Sequence, residues 1–353
     1  MRARRAAVIG FVNVAILLLL LVVVEGISSY LLVGKSIFEN RPIAERVHTE
    51  YDEEVGWINL PNLYIADMYG PDVSLTTNSQ RFRNRDEFTQ KVPPDKVRLI
   101  CSGDSYTLGY GVDDDHTWCR WLTVLDERLQ TVNLGQGGYG VDQAYLWYQR
   151  NRNKLEHNVH IFAFITGDFT RMKTDKFLGY GKPYLIVQDE ELVQVNRPIP
   201  NYSYYIPWAI TNVRKLKELK TAELVSGIYK IFANGKSRAV NSKPTEAVVS
   251  KIFASLQRWN REKNSILVLV HLPVLSDYRA NGATTHWSRY VQQAAKREGY
   301  HFVDIVGAFR KVPAGDFAAL FAGHYSVAGN KFVADLLYEK LNEIPEIRRR
   351  LVQ

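Results

Sequence analysis

The sequence predicts an α/β fold, a parallel sheet covered by helices on both faces, behind an N-terminal helix that crosses a membrane. Three observations carry that prediction. Apolar runs of strand length, VRLIC at 97–101, HIFAFI at 160–165 and ILVLV at 266–270, alternate with helical patterns, and a strand apolar at every position is one buried on both faces. The strands at 97–101 and 131–134 lead into glycine-rich turns, GDSYTLGYG and GQGGYG, and turns at the carboxyl ends of parallel strands are where ligands bind. Residues 6–24, AAVIGFVNVAILLLLLVVV, carry no charge and as a helix would span roughly 28 Å, close to the hydrocarbon thickness of a bilayer.

The elements follow in chain order. Arg2, Arg4 and Arg5 precede the apolar run, which leaves the N-terminus in the cytoplasm and sends everything after Lys35 to the other side. The stretch after Val24, EGISSYLLVGK, offers no small-x-small cleavage site, so residues 1–35 read as a retained anchor in preference to a cleaved signal peptide. Residues 36–95 are rich in turn formers, and GWINLPN at 56–62 and VSLTTNSQRFRN at 73–84 read as strands and loops of a leader packed on the main domain. Pro93-Pro94 marks the start of that domain, residues 96–345. After the strand at 97–101, Trp118, Leu122, Leu125 and Leu129 recur at helical spacing. A strand at 131–134, a helix at 141–153 and a strand at 160–165 come next. An insertion at about 170–243 reads as a hairpin turning at Asp189 to Glu191, then a helical segment at 208–232; insertions at a strand end commonly wall a site. Val249, Phe253, Leu256 and Trp259 mark a helix before the strand at 266–270, and a helix at 285–297 precedes a strand at 301–306. The last helix aligns Phe332, Leu336 and Leu341.

Composition narrows the function. At 353 residues, 46% of them hydrophobic, the chain can build a core unaided. The net charge of +8 is spread along the chain and no basic stripe is interleaved with aromatics, so nucleic acid is not an expected partner. Cys101 and Cys119 have no metal spacing and read as packed thiols. No metal cluster, Walker loop or dinucleotide fingerprint occurs, so no cofactor is expected.

Ser105, in the first glycine-rich turn, is the candidate reactive side chain. A serine needs a positioned base, most often histidine. His324, in AGHYSVAGN ahead of the last helix, falls at the same end of the sheet. His116, in DDDHTW, is the alternative, although its place at a helix start also reads as simple capping. Acyl transfer further needs donors for an oxyanion, and the amides of Ser105 and of Gly138 in NLGQGGYG could supply them.

In order and spacing, GDSYTLGYGV, NLGQGGYG, a third-strand exit at TGD and GHYSVAG before a final helix resemble the SGNH hydrolase superfamily, also called the GDSL esterases. The resemblance covers about Val97 to Leu341, and NSQRFRN with the GW element is similar to the leader of membrane-anchored bacterial members. It implies a three-layer α/β/α sandwich with a flavodoxin-like sheet, Ser105 as nucleophile, His324 as base, and the Ser105 and Gly138 amides in the oxyanion hole. Two positions depart from the family pattern. Asp168 or Gly167, in ITGDFTR, stands where the family has an asparagine, and Phe321 stands where it has an acid, three residues before His324. Asp104 and Asp168 are the carboxylates nearest the implied site; Asp316 is a remote substitute for the missing acid.

The expected function is a membrane-anchored serine esterase or deacetylase acting outside the cytoplasm, in a two-membrane bacterium the periplasm, on an O-acylated envelope glycan or similar ester. Acyl transfer to a glycan hydroxyl would use the same nucleophile. A non-catalytic glycan-binding or assembly protein is the alternative from another class, with Tyr106, Tyr110, Tyr139 and the insertion as its recognition surface.

Overall fold

A computed structural model describes residues 2–38, 47–177, 180–200, 219, 221, 224, 225, 228, 243–278 and 282–352. Its centre is a five-stranded parallel sheet of β1 (Val97–Ser102), β2 (Leu129–Asn133), β3 (Val159–Phe164), β4 (Ile266–His271) and β5 (His301–Asp304), in the order β5-β4-β3-β1-β2. Every residue of β1 and β3 is buried, Arg98 and His160 included, whose side chains hydrogen-bond to Gln130 and to Ser102 and Asn260.

Alternation along the strands divides the core in two. Leu99, Cys101, Ile161, Ala163, Val268 and Val270 face one side, where Trp118 and Leu122 of α1 (Trp118–Leu125) and Val333 and Leu337 of α5 (Val327–Asn342) cover them. Ile100, Val132, Phe162, Phe164, Leu267 and Leu269 face the other, under α2 (Val141–Asn151), α3 (Lys243–Glu262) and α4 (Gly282–Glu298). The fold is thus the three-layer α/β/α sandwich, with Cys101 and Cys119 as free, buried thiols.

Two boundaries differ from the sequence reading. Helix α1 stops at Leu125, because Asp126 turns extended and its Oδ1 accepts from Arg128 N at 3.0 Å. Leu129 therefore opens β2 instead of closing the helix; it enters the same core from the strand, which is why the helical spacing seemed to run on. Strand β5 ends at Asp304, whose Oδ1 accepts from Val306 N at 3.1 Å where a short helix begins.

In the insertion, Leu185–Gln188 pairs antiparallel with Glu191–Gln194. The two residues between them, Asp189 (φ 49°) and Glu190 (φ 66°), form the turn that matches strand twist. Lys182, fully buried, places Nζ 2.5 Å from Asp142 Oδ2 and so ties the segment before this hairpin to the start of α2. The helical segment expected at 208–232 lies almost wholly outside the described residues.

The chain divides into two compact units, residues 1–44 with 201–241, and 45–200 with 242–353. The first contains a helix, Arg2–Phe38, in which Arg4–Leu31 is long and apolar enough to cross a membrane, its most apolar 18-residue window having a mean hydropathy of 3.1. Thr221 donates to Glu25 of this helix from both its amide and its hydroxyl, each at 2.9 Å.

Three histidines of the second unit are buried neutral. Burial lowers His157 from 6.5 to about 4 and His271 from 6.5 to about 3, and it lowers His160 well below 6.5. Each hydrogen-bonds to neutral groups, Tyr148 and Asn260 for His157, Ser102 and Asn260 for His160, Thr166 and Ser288 for His271, and His271 also has Asp304 Oδ1 at 3.8 Å. An unfolded chain takes up these protons first as pH falls. Their contribution is therefore complete above pH 6.5 and is lost as pH drops through the folded-state values near 4 and 3. We expect the urea midpoint of the full chain to fall steeply over that window, and the fall to be shallower in His157→Gln; a midpoint flat from pH 7 to about 4 would contradict this.

Candidate active site

The site is built at the carboxyl end of β1. Gly103 follows the strand where nothing larger fits, since a Cβ there would lie 2.2 Å from Thr107 Oγ1 and 2.8 Å from Ala163 O. Asp104 then caps a one-turn helix, Ser105–Leu108, its Oδ1 accepting from Tyr106 N at 2.9 Å. Gly109, in the left-handed region at φ 87°, ends that helix, and the amides of Gly109 and Tyr110 both donate to Ser105 O at 3.0 Å. The glycines that follow Gly-Asp-Ser thus fold the chain back so that Tyr110 hangs from Ser105's own carbonyl.

A second element reaches the same point. Phe321–Ala322 and His324–Tyr325 form a miniature hairpin about Gly323, at φ 81°. The Tyr325 hydroxyl donates to Pro273 O at 2.6 Å, and Ser326 caps α5 by accepting from Gly329 N at 3.1 Å. A Cβ on Gly329 would lie 2.0 Å from Leu320 O, so the GHYSVAG pattern is accounted for residue by residue. His324 is thereby placed with Nε2 2.9 Å from Ser105 Oγ. His116 instead pairs with Asp113 at 2.7 Å and packs on Trp121.

The NLGQGGYG loop lies alongside. Asn133 Nδ2 donates to Thr107 O at 2.9 Å, and a Cβ on Gly135 would meet Leu108 N at 2.2 Å, so loop and helix are in backbone contact. The leader clamps the loop from outside: Trp57 Nε1 donates to Gly137 O at 2.8 Å and Asn59 N to Gln136 Oε1 at 3.1 Å. Gly138 is left-handed at φ 75°. Neither its amide nor that of Ser105 has an acceptor among the described residues. Tyr139, expected on a recognition surface, is instead fully buried with its hydroxyl on Trp57 O at 2.5 Å, because the leader covers it.

Asp168 is buried beneath the site. Its Oδ2 accepts from Ile165 N at 3.0 Å, and its Oδ1 accepts from Arg171 Nη1 at 2.6 Å. The same Nη1 donates to Asp104 Oδ2 at 3.1 Å and Tyr139 O at 2.7 Å, so one guanidinium ties the third-strand exit to the first turn. Burial, reinforced by the Asp104 charge, pushes the Asp168 carboxyl well above the ordinary range despite Arg171. Gly167, beside it, has open space: a Cβ would meet only the Ile165 side chain, at 3.4 Å.

No carboxylate lies within ion-pair distance of His324 among the described residues. Phe321 packs among Phe317, Tyr325 and Phe309, at centroid distances of 5.1, 5.5 and 6.0 Å. The imidazole lies instead between two aromatic rings, with the Tyr106 centroid at 4.6 Å and the Tyr110 centroid at 4.8 Å. Burial lowers its pKa below the ordinary 6.5, with the Asp104 charge opposing and Arg171 adding. A neutral, proton-accepting imidazole therefore persists below pH 6.5. We expect the acid limb of any Ser105-dependent reaction to fall below that value, and Asp104→Asn, which keeps the cap and removes a charge favouring imidazolium, to move it lower still in a pH–rate profile.

Sequence reasoning missed Arg83 and Arg171. Arg83, 3% exposed, sends Nη1 to Leu108 O (2.8 Å) and Gly109 O (2.5 Å), Nη2 to Val112 O (2.6 Å) and Ser74 O (3.2 Å), and Nε to Asp114 (3.1 Å). The NSQRFRN stretch was the available signal for Arg83. The i, i+3 spacing of Asp168 and Arg171 was the signal for the other.

No protein-family model and no curated protein matches this chain. Solved structures do show a remote likeness. A member of the lipolytic G-D-S-L family from Veillonella parvula is 14% identical, with a TM-score of 0.40 over 70% of this chain and 98% of that one. A lipase/acylhydrolase from Enterococcus faecalis is 12% identical, TM-score 0.39, over 70% and 96%. The psychrotrophic esterase EstA from Pseudoalteromonas sp. is 9% identical, TM-score 0.40, over 70% and 97%.

Proposed function

We propose that this protein is a serine ester hydrolase, held at a membrane by its N-terminal helix, that removes acyl groups from an O-acylated glycan or similar ester outside the cytoplasm. One observation carries the reaction: the 2.9 Å hydrogen bond between Ser105 Oγ and His324 Nε2 at the carboxyl end of the sheet. Ser105 Oγ attacks the ester carbonyl carbon as its proton passes to His324 Nε2. The Ser105 and Gly138 amides, without other acceptors, receive the oxyanion. The C–O bond to the alcohol then breaks, and the alcohol leaves with the proton from His324. Water, deprotonated by the same imidazole, releases the acid from Ser105. Asp104 and Asp168 serve as structure in this scheme, one as cap and one as anchor for Arg171.

Sidedness rests on Arg2, Arg4 and Arg5 ahead of the apolar run. The glycan rests on that topology and on the family resemblance. The test is to incubate the full chain in detergent with an O-acetylated oligosaccharide, with and without a de-acetylated acceptor. Free acetate supports hydrolysis. Acetate found only on the acceptor would make the same site a transferase, and glycan bound without turnover would overturn the enzyme reading.

A further inference from the structure

Among the described residues no acid lies within ion-pair distance of the His324 imidazole, yet it is not loose. Tyr106 lies against one side at 4.6 Å with the planes 41° apart, and Tyr110 lies against it at 4.8 Å and 34°. The stack continues outward: Tyr69, from the leader, packs on Tyr110 at 4.6 Å, and the Arg83 guanidinium lies 5.7 Å from the Tyr69 ring. On the inner side Tyr106 meets Tyr325 edge-on at 4.8 Å, and Tyr325 is fixed through its hydroxyl to Pro273 O. His324 is therefore one member of a column of rings anchored at both ends in the protein.

We propose that Tyr110, backed by Tyr69, is a positioning residue for His324, its ring face doing for the imidazolium what a carboxylate on Nδ1 does in a triad. This rests on the reading of Ser105 and His324 as nucleophile and base. An orienting acid has two tasks, to fix the ring and to stabilise its charged form. Rings packed against the imidazole at a tilt restrict its rotation. An aromatic face within about 6 Å also attracts a cation electrostatically, more strongly where water is excluded. The charge appears on His324 only after Ser105 has surrendered its proton, so the attraction grows along the reaction path, as transition-state stabilisation requires.

The charged groups facing the imidazole are Asp104, from the turn after β1, and Arg171, from the third-strand exit. Ser105 and the phenols of Tyr106 and Tyr110 complete the polar and titratable surroundings. Asp104 and Arg171 pair with each other at 3.1 Å and act on His324 in opposite directions. Among the described residues, the aromatic rings join Asp104 as neighbours that favour the cation.

The experiment follows carbethoxylation of His324 by diethyl pyrocarbonate against pH, in the full chain in detergent, by peptide mass spectrometry. The midpoint reports the imidazole pKa and does not need turnover. Replacing Tyr110 with Leu keeps an apolar side chain but removes the ring face, so the midpoint should fall by about half a pH unit. Tyr110→Phe, which removes only the hydroxyl, should match the parent. Tyr110→Met serves as a second ring-free variant, and Tyr69→Leu should shift the midpoint less. Ester turnover should fall by about threefold to tenfold in the Leu and Met variants and stay near the parent in Phe. Equal midpoints in Leu, Met and Phe, or a Phe variant that falls with Leu, would overturn the proposal. A shifted midpoint with no turnover in any variant, parent included, would uphold the clamp and refute the hydrolase reading.

Discussion

Ser105→Ala and His324→Ala each lower ester turnover by at least about a thousandfold, and the double variant is no worse than either single one. The expectation follows from the two side chains acting as one unit through the 2.9 Å Oγ–Nε2 bond. Without the hydroxyl, the base has no nucleophile to activate. Without the imidazole, a serine hydroxyl at neutral pH stays protonated and unreactive. Folding should survive both changes. The one-turn helix keeps its Asp104 cap and its Gly109 terminus whatever stands at 105, and the hairpin bearing His324 is held by Tyr325 on Pro273 O. Unchanged thermal transitions, together with non-additive losses in turnover, are the result to look for. Losses that multiply in the double variant would mean that Ser105 and His324 act separately.

Arg83→Ala produces the largest loss of stability among the site-supporting residues, about 3–5 kcal/mol. The guanidinium is 3% exposed and gathers four carbonyls and the Asp114 carboxylate. Removing it strands those carbonyls away from water and leaves the buried Asp114 carboxylate with the Thr76 amide at 3.0 Å and the half-exposed Arg85 at 3.5 Å. Lysine is no substitute, since a single ammonium cannot span acceptors arranged for a planar fork. The contrast is Arg85, whose side chain is 53% exposed and reaches the same Asp114 at 3.5 Å. A surface pair of that kind contributes about 1 kcal/mol or less, so Arg85→Ala should shift the urea midpoint little. Three of the four carbonyls held by Arg83 belong to residues 108, 109 and 112, on either side of Tyr110. Residual folded Arg83→Ala should therefore also lose turnover, and full turnover in a folded variant would separate Arg83 from the site.

The layered sheet was legible because its central strands β1, β3 and β4 are mostly apolar runs and the covering helices carry apolar stripes. The meeting of Ser105 and His324 was legible because each sits in a turn whose glycines have a specific backbone duty, such as Gly103 against Ala163 O or Gly329 against Leu320 O. Leu129 was misplaced because a side chain entering a core from a strand can continue a helix's spacing by coincidence. The buried roles of Arg83, Arg171 and Lys182 were not legible, even where NSQRFRN or the Asp168–Arg171 spacing marked the residue. A buried cation is recognised by the carbonyls and carboxylates around it, and those come from positions far away in sequence, as Lys182 and Asp142 do. The aromatic column was hidden for the same reason, since Tyr69, Tyr110 and His324 meet only once the leader, the first turn and the last hairpin are folded together.

The measurement that tests the account most directly is covalent labelling of the full chain in detergent by a fluorophosphonate, mapped to a peptide. Attack on phosphorus requires a serine activated by a base and needs no knowledge of the natural ester. The account predicts a single adduct on Ser105 that is lost in both Ser105→Ala and His324→Ala. A folded chain that stays unlabelled, or an adduct that persists in Ser105→Ala, would contradict it.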